Sequence, residues 1–238
     1  MPTIPPSLYK SRPVYPGLSW IAGARRHLIT ADGEGALAVL ELLNSADQET
    51  RNRAILLYTP GGSKQLGHGA KLAPLLPGAC HEFPSIETLL FRLNVELTRA
   101  NMSTRLYATG TEGFMGQVIA LAQGHGVNPL SVKTEHRGSL ARRVQCVHCK
   151  GFMDGVTTSI VACSHCGISL FVRDHYSRRL GAFQGVIVNA EDRRLTSRAR
   201  LVYFHCHSQA VVVSFAWRPP LALAAVGCAR TALWPPRR

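Results

Sequence analysis

The sequence predicts an α/β fold in which a parallel sheet covered by helices is followed by a small four-cysteine, zinc-ribbon-like domain. Three observations carry this. Apolar runs that read as strands alternate with helical periodicities from residue 27 to residue 134. The strand runs are unbroken rather than alternating, which suits strands buried on both faces. Two Cys-x-x-Cys pairs then follow, Cys146-Val-His-Cys149 and Cys163-Ser-His-Cys166, with thirteen residues between them.

Taken in order, residues 1–20 are rich in proline (Pro2, Pro5, Pro6, Pro13, Pro16) and read as an extended arm laid over a surface. His27 to Ala31 reads as a buried strand, Asp32-Gly-Glu-Gly35 as a turn, and Ala36 to Leu43 as a helix. Ala54 to Thr59 is a second strand, stopped by Pro60-Gly-Gly62. His81-Glu-Phe83 is a short third, and Ile86 to Ala100 has helical spacing. Arg105 to Thr109 is a fourth strand, Gly110-Thr-Glu-Gly113 a turn, Phe114 to His125 a helix, and Pro129 to Thr134 closes the series. The domains are then residues 21–138 for the sheet and 139–192 for the four-cysteine module, with 193–238 as a tail.

Each Cys-x-x-Cys folds the backbone into a knuckle whose two sulfurs point inward, so two knuckles put Cys146, Cys149, Cys163 and Cys166 within reach of one tetrahedral cation. The segment between them is long enough for a short hairpin, with Asp154-Gly155 as its turn. Four thiolates leave no open coordination position, which argues for a structural zinc over a catalytic one. Iron on four thiolates has the same spacing. His148 and His165 inside the knuckles invite a Rieske-type centre, but the adjacent cysteines make sulfur ligation simpler. Two disulfides are the remaining alternative, and a reducing compartment opposes it.

A chain of 238 residues with 46% hydrophobic content can bury a sizeable core. The first ten residues lack the apolar stretch of a signal peptide and no run approaches a membrane span, so the expectation is a cytoplasmic protein with no membrane partner. The formal charge of +13 is unevenly spread. Residues 1–136 carry 12 Lys and Arg against 10 Asp and Glu; residues 137–192 carry 7 against 4; residues 193–238 carry 8 arginines and no acid. The excess therefore sits mostly in the tail, and the stretch from Cys146 to Cys166 holds one Lys and one Asp. That near neutrality favours a protein partner over nucleic acid, although a nucleic-acid-binding or regulatory zinc ribbon is the alternative reading.

In a parallel sheet, ligands bind beyond the carboxyl ends of the strands, where turns open helices. Gly33 and Gly35 in one such turn, and Thr109, Gly110 and Gly113 at another, are candidate nucleotide contacts. Asp32, Glu34 and Glu112 in the same turns would repel a phosphate, and tight turns also use glycine for geometry alone.

The run Arg105 to Met115, its helix, Gly126-Val127 and Ser131 to Glu135 resemble the last strand–helix–strand of the nicotinamide half of ferredoxin reductases, closest to the phthalate dioxygenase reductase group. That resemblance implies an NAD(P)H site. The family has Cys-Gly-Pro where this chain reads Thr109-Gly110-Thr111, and a flavin-binding barrel for which this chain has no room. Here Arg137-Gly-Ser-Leu-Ala141 leads into the cysteine module instead. After the second knuckle, Arg173-Asp-His-Tyr-Ser-Arg-Arg179 and Phe183-Gln-Gly185 resemble the C-terminal domain of the small accessory subunit of bacterial dimethylamine monooxygenases, and the first half fits the same subunit, over roughly residues 5–192. Membership would imply an assembly with a flavin and iron–sulfur reductase subunit and a haem-bearing N-demethylase subunit. Together these convert dimethylamine to methylamine and formaldehyde with reduced pyridine nucleotide and oxygen.

Independently of any family, Arg173, Asp174, His175, Tyr176, Arg178 and Arg179 crowd into seven residues beside a closed metal module. Arginine and tyrosine anchor interfaces, so this segment reads as a docking surface. Asp174 and His175 form an acid–base pair in principle, but no nucleophile or open metal position accompanies them, and no catalytic residue is assigned. Residues 193–238 lack Asp, Glu and Lys and read as a disordered tail or out-of-frame sequence from a GC-rich gene. Cys80, Cys206 and Cys228 are isolated, and His205-Cys-His207 is too little for a metal site.

Overall fold

The computed structural model describes residues 11–61 and 66–188, and the expectations placed on residues 1–10 and 193–238 lie outside them. The first sheet comprises β1 (Arg26–Asp32), β2 (Ala54–Thr59), β3 (Cys80–Glu82), β4 (Thr104–Gly110) and β5 (Val132–His136), all parallel, in the order β3-β2-β1-β4-β5. β1 lies at the centre, and every residue from His27 to Asp32 is buried, as its unbroken apolar text requires.

The helices follow from local chemistry. α1 (Gly35–Asn44) buries Gly35, Ala38, Val39, Leu42 and Leu43, spaced to form one stripe. With β2 and the short helix α3 (His68–Leu72) it belongs to one side of the molecule's core, where Ile29, Leu56, Tyr58 and Tyr107 pack against Val39, Leu43 and Leu72, while the short helix α2 (Gln48–Asn52) buries none of its residues. α4 (Ile86–Thr98) starts at Ser85, whose hydroxyl accepts from the Thr88 N–H while the Ser85 N–H donates back to Thr88 Oγ1. α5 (Glu112–Gly124) is capped by Thr111. Leu89, Leu93, Phe114, Met115 and Val118 of these two helices bury Leu28, Leu57, Leu106 and Ala108 of the opposite sheet face. Burying each such side chain contributes about 1.5–3 kcal/mol, which is why the sheet is covered on both sides.

The second sheet contains β6 (Arg142–Cys146), β7 (Phe152–Val156), β8 (Ile160–Ala162), β9 (Ser169–Ser177) and β10 (Ala182–Ile187), in the order β7-β6-β10-β9-β8. β6 with β7, and β8 with β9, are antiparallel pairs, each joined by one knuckle. β10 pairs antiparallel with β9 and parallel with β6, and so joins the two hairpins. This corrects the expected hairpin between the knuckles: β7 and β8 lie at opposite edges. Asp154-Gly155 is not a turn but an irregularity inside β7, where Val144 pairs with Met153 and Arg142 with Val156.

Both sheets belong to one compact unit ending at Val188. The arm from Ser11 runs across both: Gly17 N–H donates to Thr134 O (3.1 Å), Leu18 N–H to Glu135 (2.8 Å), and the Trp20 indole to Leu42 O (3.0 Å). Among the described residues, no helix is long and apolar enough to cross a membrane.

Candidate metal centre

Each knuckle is closed by its own backbone. Lys150 N–H donates to Cys146 O (3.0 Å) and Gly167 N–H to Cys163 O (2.8 Å), and both Lys150 and Gly167 sit at positive φ. The two tight turns aim their thiols at one point. The four sulfurs lie within 4.8 Å of one another, with Cys146 to Cys166 at 3.8 Å and Cys149 to Cys163 at 3.7 Å. A regular tetrahedron with metal–sulfur bonds of about 2.3 Å has edges of about 3.8 Å, so the donor set fits one soft tetrahedral cation.

Cys146 and Cys163 are buried, and Val144, Met153, Val156, Leu170, Val172 and Phe183 surround them. At Cys163 burial opposes the thiolate, but hydrogen bonding from the Cys166 and His165 backbone outweighs it and lowers the thiol to about 7. Burial pushes Cys166 up to about 12. A cation entering the cluster would displace the thiol protons that remain, so its binding would depend on pH. The histidines are not part of the cluster. His165 lies over Gly151 and its Nε2 is 2.8 Å from Phe152 O, tying the second knuckle to the strand after the first. His148 is half-buried.

The candidate nucleotide residues come together at the carboxyl ends of β1 and β4, the switch point of the sheet. Three of the donors in these turns, the Gly33 N–H and the Thr111 N–H and hydroxyl, are engaged inside the fold. Gly33 N–H donates to Thr59 O (2.8 Å), and Thr111 donates its N–H and its hydroxyl to Asp32, both at 2.7 Å. A Cβ on Gly35 would lie 2.5 Å from the carbonyl oxygen of Thr109, so this glycine lets α1 touch β4. Thr109 is fully buried. Gly110 has φ +129° and lies against the Asp32 carboxylate. Gly113 faces Arg143 of the second sheet rather than a ligand space. Burial raises the Asp32 carboxyl to about 6, against the pull of its Thr111 hydrogen bonds.

The docking segment divides. Arg173, His175, Arg178 and Arg179 are exposed. Tyr176 is buried, stacked edge-on to Phe183 with ring centroids 5.0 Å apart, and burial raises its phenol. Asp174 is held by Arg12 at 3.3 Å and faces Arg142 at 3.8 Å. Tyr176 and Asp174 therefore do not belong to an open docking surface: the alternation of β9 turns them inward.

Family comparison fits the two-part chain. The family described as dimethylamine monooxygenase subunit DmmA-like matches through its N-terminal domain over residues 7–132 and its C-terminal domain over residues 143–186. The chain belongs to this DmmA-like family. The heme-dependent oxidative N-demethylase delta subunit of Ectopseudomonas mendocina (strain ymp) is 30% identical over 181 residues, 76% of this chain and 90% of that one. Among solved structures, the Amycolatopsis cytochrome P450 reductase GcoB gives a TM-score of 0.36 at 14% identity, covering 50% of this chain and 40% of that one. Full-length CYP116B46 from Tepidiphilus thermophilus gives 0.38 at 15%, covering 69% and 28%. This chain thus spans less than half of either structure, and likeness at these scores carries no argument about chemistry.

In this DmmA-like chain the joint between the matched parts is made by residues that sequence reasoning missed. Gly116 of α5 meets Gly181 of the β9–β10 turn so closely that a Cβ on Gly116 would lie 2.8 Å from Gly181 O. Glu112, 2% exposed, accepts from Tyr15 (3.1 Å), and burial raises its carboxyl. The Arg12 and Arg142 guanidiniums lie 5.9 and 5.7 Å from the centre of the Phe183 ring. The proline-rich arm was the available signal, but nothing in it names Asp174 as a partner.

Proposed function

We propose that the chain is an accessory, non-catalytic subunit of a multi-subunit haem-dependent oxidative N-demethylase acting on dimethylamine. The carrying observation is the alignment with the delta subunit of such an enzyme over 90% of that subunit's length. In this reading a flavin and iron–sulfur reductase subunit and a haem-bearing subunit do the chemistry. The geometry supports a supporting role. Cys146, Cys149, Cys163 and Cys166 would hold one zinc ion in a closed thiolate shell, where it fixes structure and binds no substrate. Reduced pyridine nucleotide is consumed in the reductase subunit, since the switch-point crevice of this sheet carries the buried Asp32 carboxylate, which would repel a phosphate and already holds the Thr111 N–H and hydroxyl.

The test is reconstitution of the assembly with and without this chain, reading amine-dependent oxygen consumption and metal content. The expected result is one zinc per chain, co-elution with the other subunits, and loss of most turnover when the chain is omitted. A Cys149→Ser, Cys166→Ser double variant should lose the metal and the protease resistance of residues 142–188 together. Full turnover without the chain, or iron in place of zinc, defeats the corresponding part of the reading.

A further inference from the structure

We propose that the outer face of the second sheet docks a partner protein subunit whose surface presents an apolar patch rimmed by carboxylates. This rests on the reading of the chain as an assembly subunit. On β9 the exposed residues Ser169, Phe171, Arg173 and His175 alternate with the inward Leu170, Val172 and Tyr176. Register extends that face across the sheet. Phe171 pairs with Ile160 on one side and Val186 on the other, and residues paired across strands point to the same face. Ile160 is 59% exposed and Phe171 44%. Arg173 pairs with Gln184, which pairs with Gln145, giving a polar row beside the apolar one.

Charge decides the occupant. Residues 142–188 contain six Arg and Lys and two acids, Asp154 and Asp174. Asp154 is taken by Arg143 at 3.3 Å, and Asp174 is taken from behind by Arg12. Arg173 makes no ion pair among the described residues, so the face carries cation and no free acid. A second copy docked face to face would set like charges against each other, which costs affinity. The chain's own residues 193–238 carry eight arginines and no acid, and are repelled in the same way. What remains is another protein with carboxylates around an apolar centre. Nucleic acid is the competing polyanion, but the row here is the largely aliphatic Ile160, Phe171 and Val186, and the other ring on this face, Phe152, is already covered by the Arg143 guanidinium 4.6 Å from its centre.

The experiment titrates the full-length, metal-loaded chain against the purified haem-bearing subunit and, separately, the reductase subunit. Phe171→Asp and Arg173→Glu should each weaken one of these interactions by about tenfold or more. Arg173→Glu should also flatten its dependence on salt. Both positions are exposed, so metal content and melting temperature should match the parent, and Phe171→Ser serves as a milder second variant. If the parent binds a subunit and all three variants bind it equally well, the face is not the interface, while the assembly reading stands. A parent that binds neither subunit overturns that underlying reading. Variants that lose only binding to a single-stranded oligonucleotide, or only self-association by light scattering, overturn the proposal in favour of those occupants.

Discussion

Lys150 and Gly167 occupy the same place in two equivalent knuckles, the residue after the second cysteine, at φ +63° and +73°. A side chain in that left-handed region costs roughly 1–2 kcal/mol. The second knuckle avoids the cost with glycine; the first bears it, with the Lys150 ammonium donating to Val147 O at 2.7 Å as a partial offset. Gly167→Ala should therefore destabilise the chain by about 1 kcal/mol in urea unfolding, whereas Lys150→Gly should leave it as stable or slightly more so. Equal losses from both would mean that the knuckles do not impose this backbone. Asp32 gives a second prediction. Its carboxyl is raised from the ordinary 3.8 to about 6 by burial, so the folded chain holds this proton more tightly than the unfolded one. That contribution is fully present below about pH 4, falls as pH rises to about 6, and stays lost above, an effect on the order of 2–3 kcal/mol. Asp32→Asn should remove the slope. The measurement is the difference in unfolding free energy between variant and parent from pH 4 to 7.5, in which metal loss common to both cancels. A constant difference would place the carboxylate in contact with water.

At the scale of elements, the strands and helices of the first sheet were legible because their signals are local. Val39, Leu42 and Leu43 announce a stripe, and the text of β1 and β2 is unbroken. The clustering of the four cysteines was legible for the same reason, since a Cys-x-x-Cys turn is specified within its own few residues. The strand order of the ribbon was not. Asp154-Gly155 has the chemistry of a hairpin turn, yet pairing with β6 absorbs it as an irregularity, and the β10–β6 pairing joins segments some forty residues apart. The joint was hidden too, because its information is steric and non-local: nothing in the sequence of α5 shows that Gly116 rests on Gly181. Helix propensity alone would favour Gly116→Ala by about 1 kcal/mol. The contact should win, because the added methyl would collide with the Tyr176 hydroxyl and the Gly181 carbonyl, and overpacking of this kind costs about 1–3 kcal/mol. Net destabilisation with unchanged metal content is the expected result in a denaturant titration. A gain in stability would show that α5 and the ribbon separate freely.

At the scale of the whole molecule, the arm is what makes two small cores one body. Its hydrogen bonds reach Thr134, Glu135 and Leu42 of the first sheet, while Arg12 reaches Asp174 of the second, 162 residues along the chain. Arg12 has 12% of its side chain exposed and Asp174 31%, so the pair is sheltered enough to matter and wet enough to fall short of a fully buried bridge. Among the described residues, Arg12→Ala leaves Asp174 facing only the Arg142 guanidinium at 3.8 Å, and it uncovers one side of Phe183. Tyr15→Phe removes the hydrogen bond to Glu112, a carboxyl already buried at the start of α5. Each change should cost about 1–2 kcal/mol, and because both act on one joint the double variant should depart from additivity. The telling measurement is amide hydrogen exchange. In the double variant, β9 and the first turn of α5 should exchange faster together, while β1, β2 and the two knuckles keep the parent's protection and the metal stays bound. Faster exchange confined to β9 would mean that the arm merely covers the ribbon, and the coupling of the two sheets would rest on Gly116 and Gly181 alone.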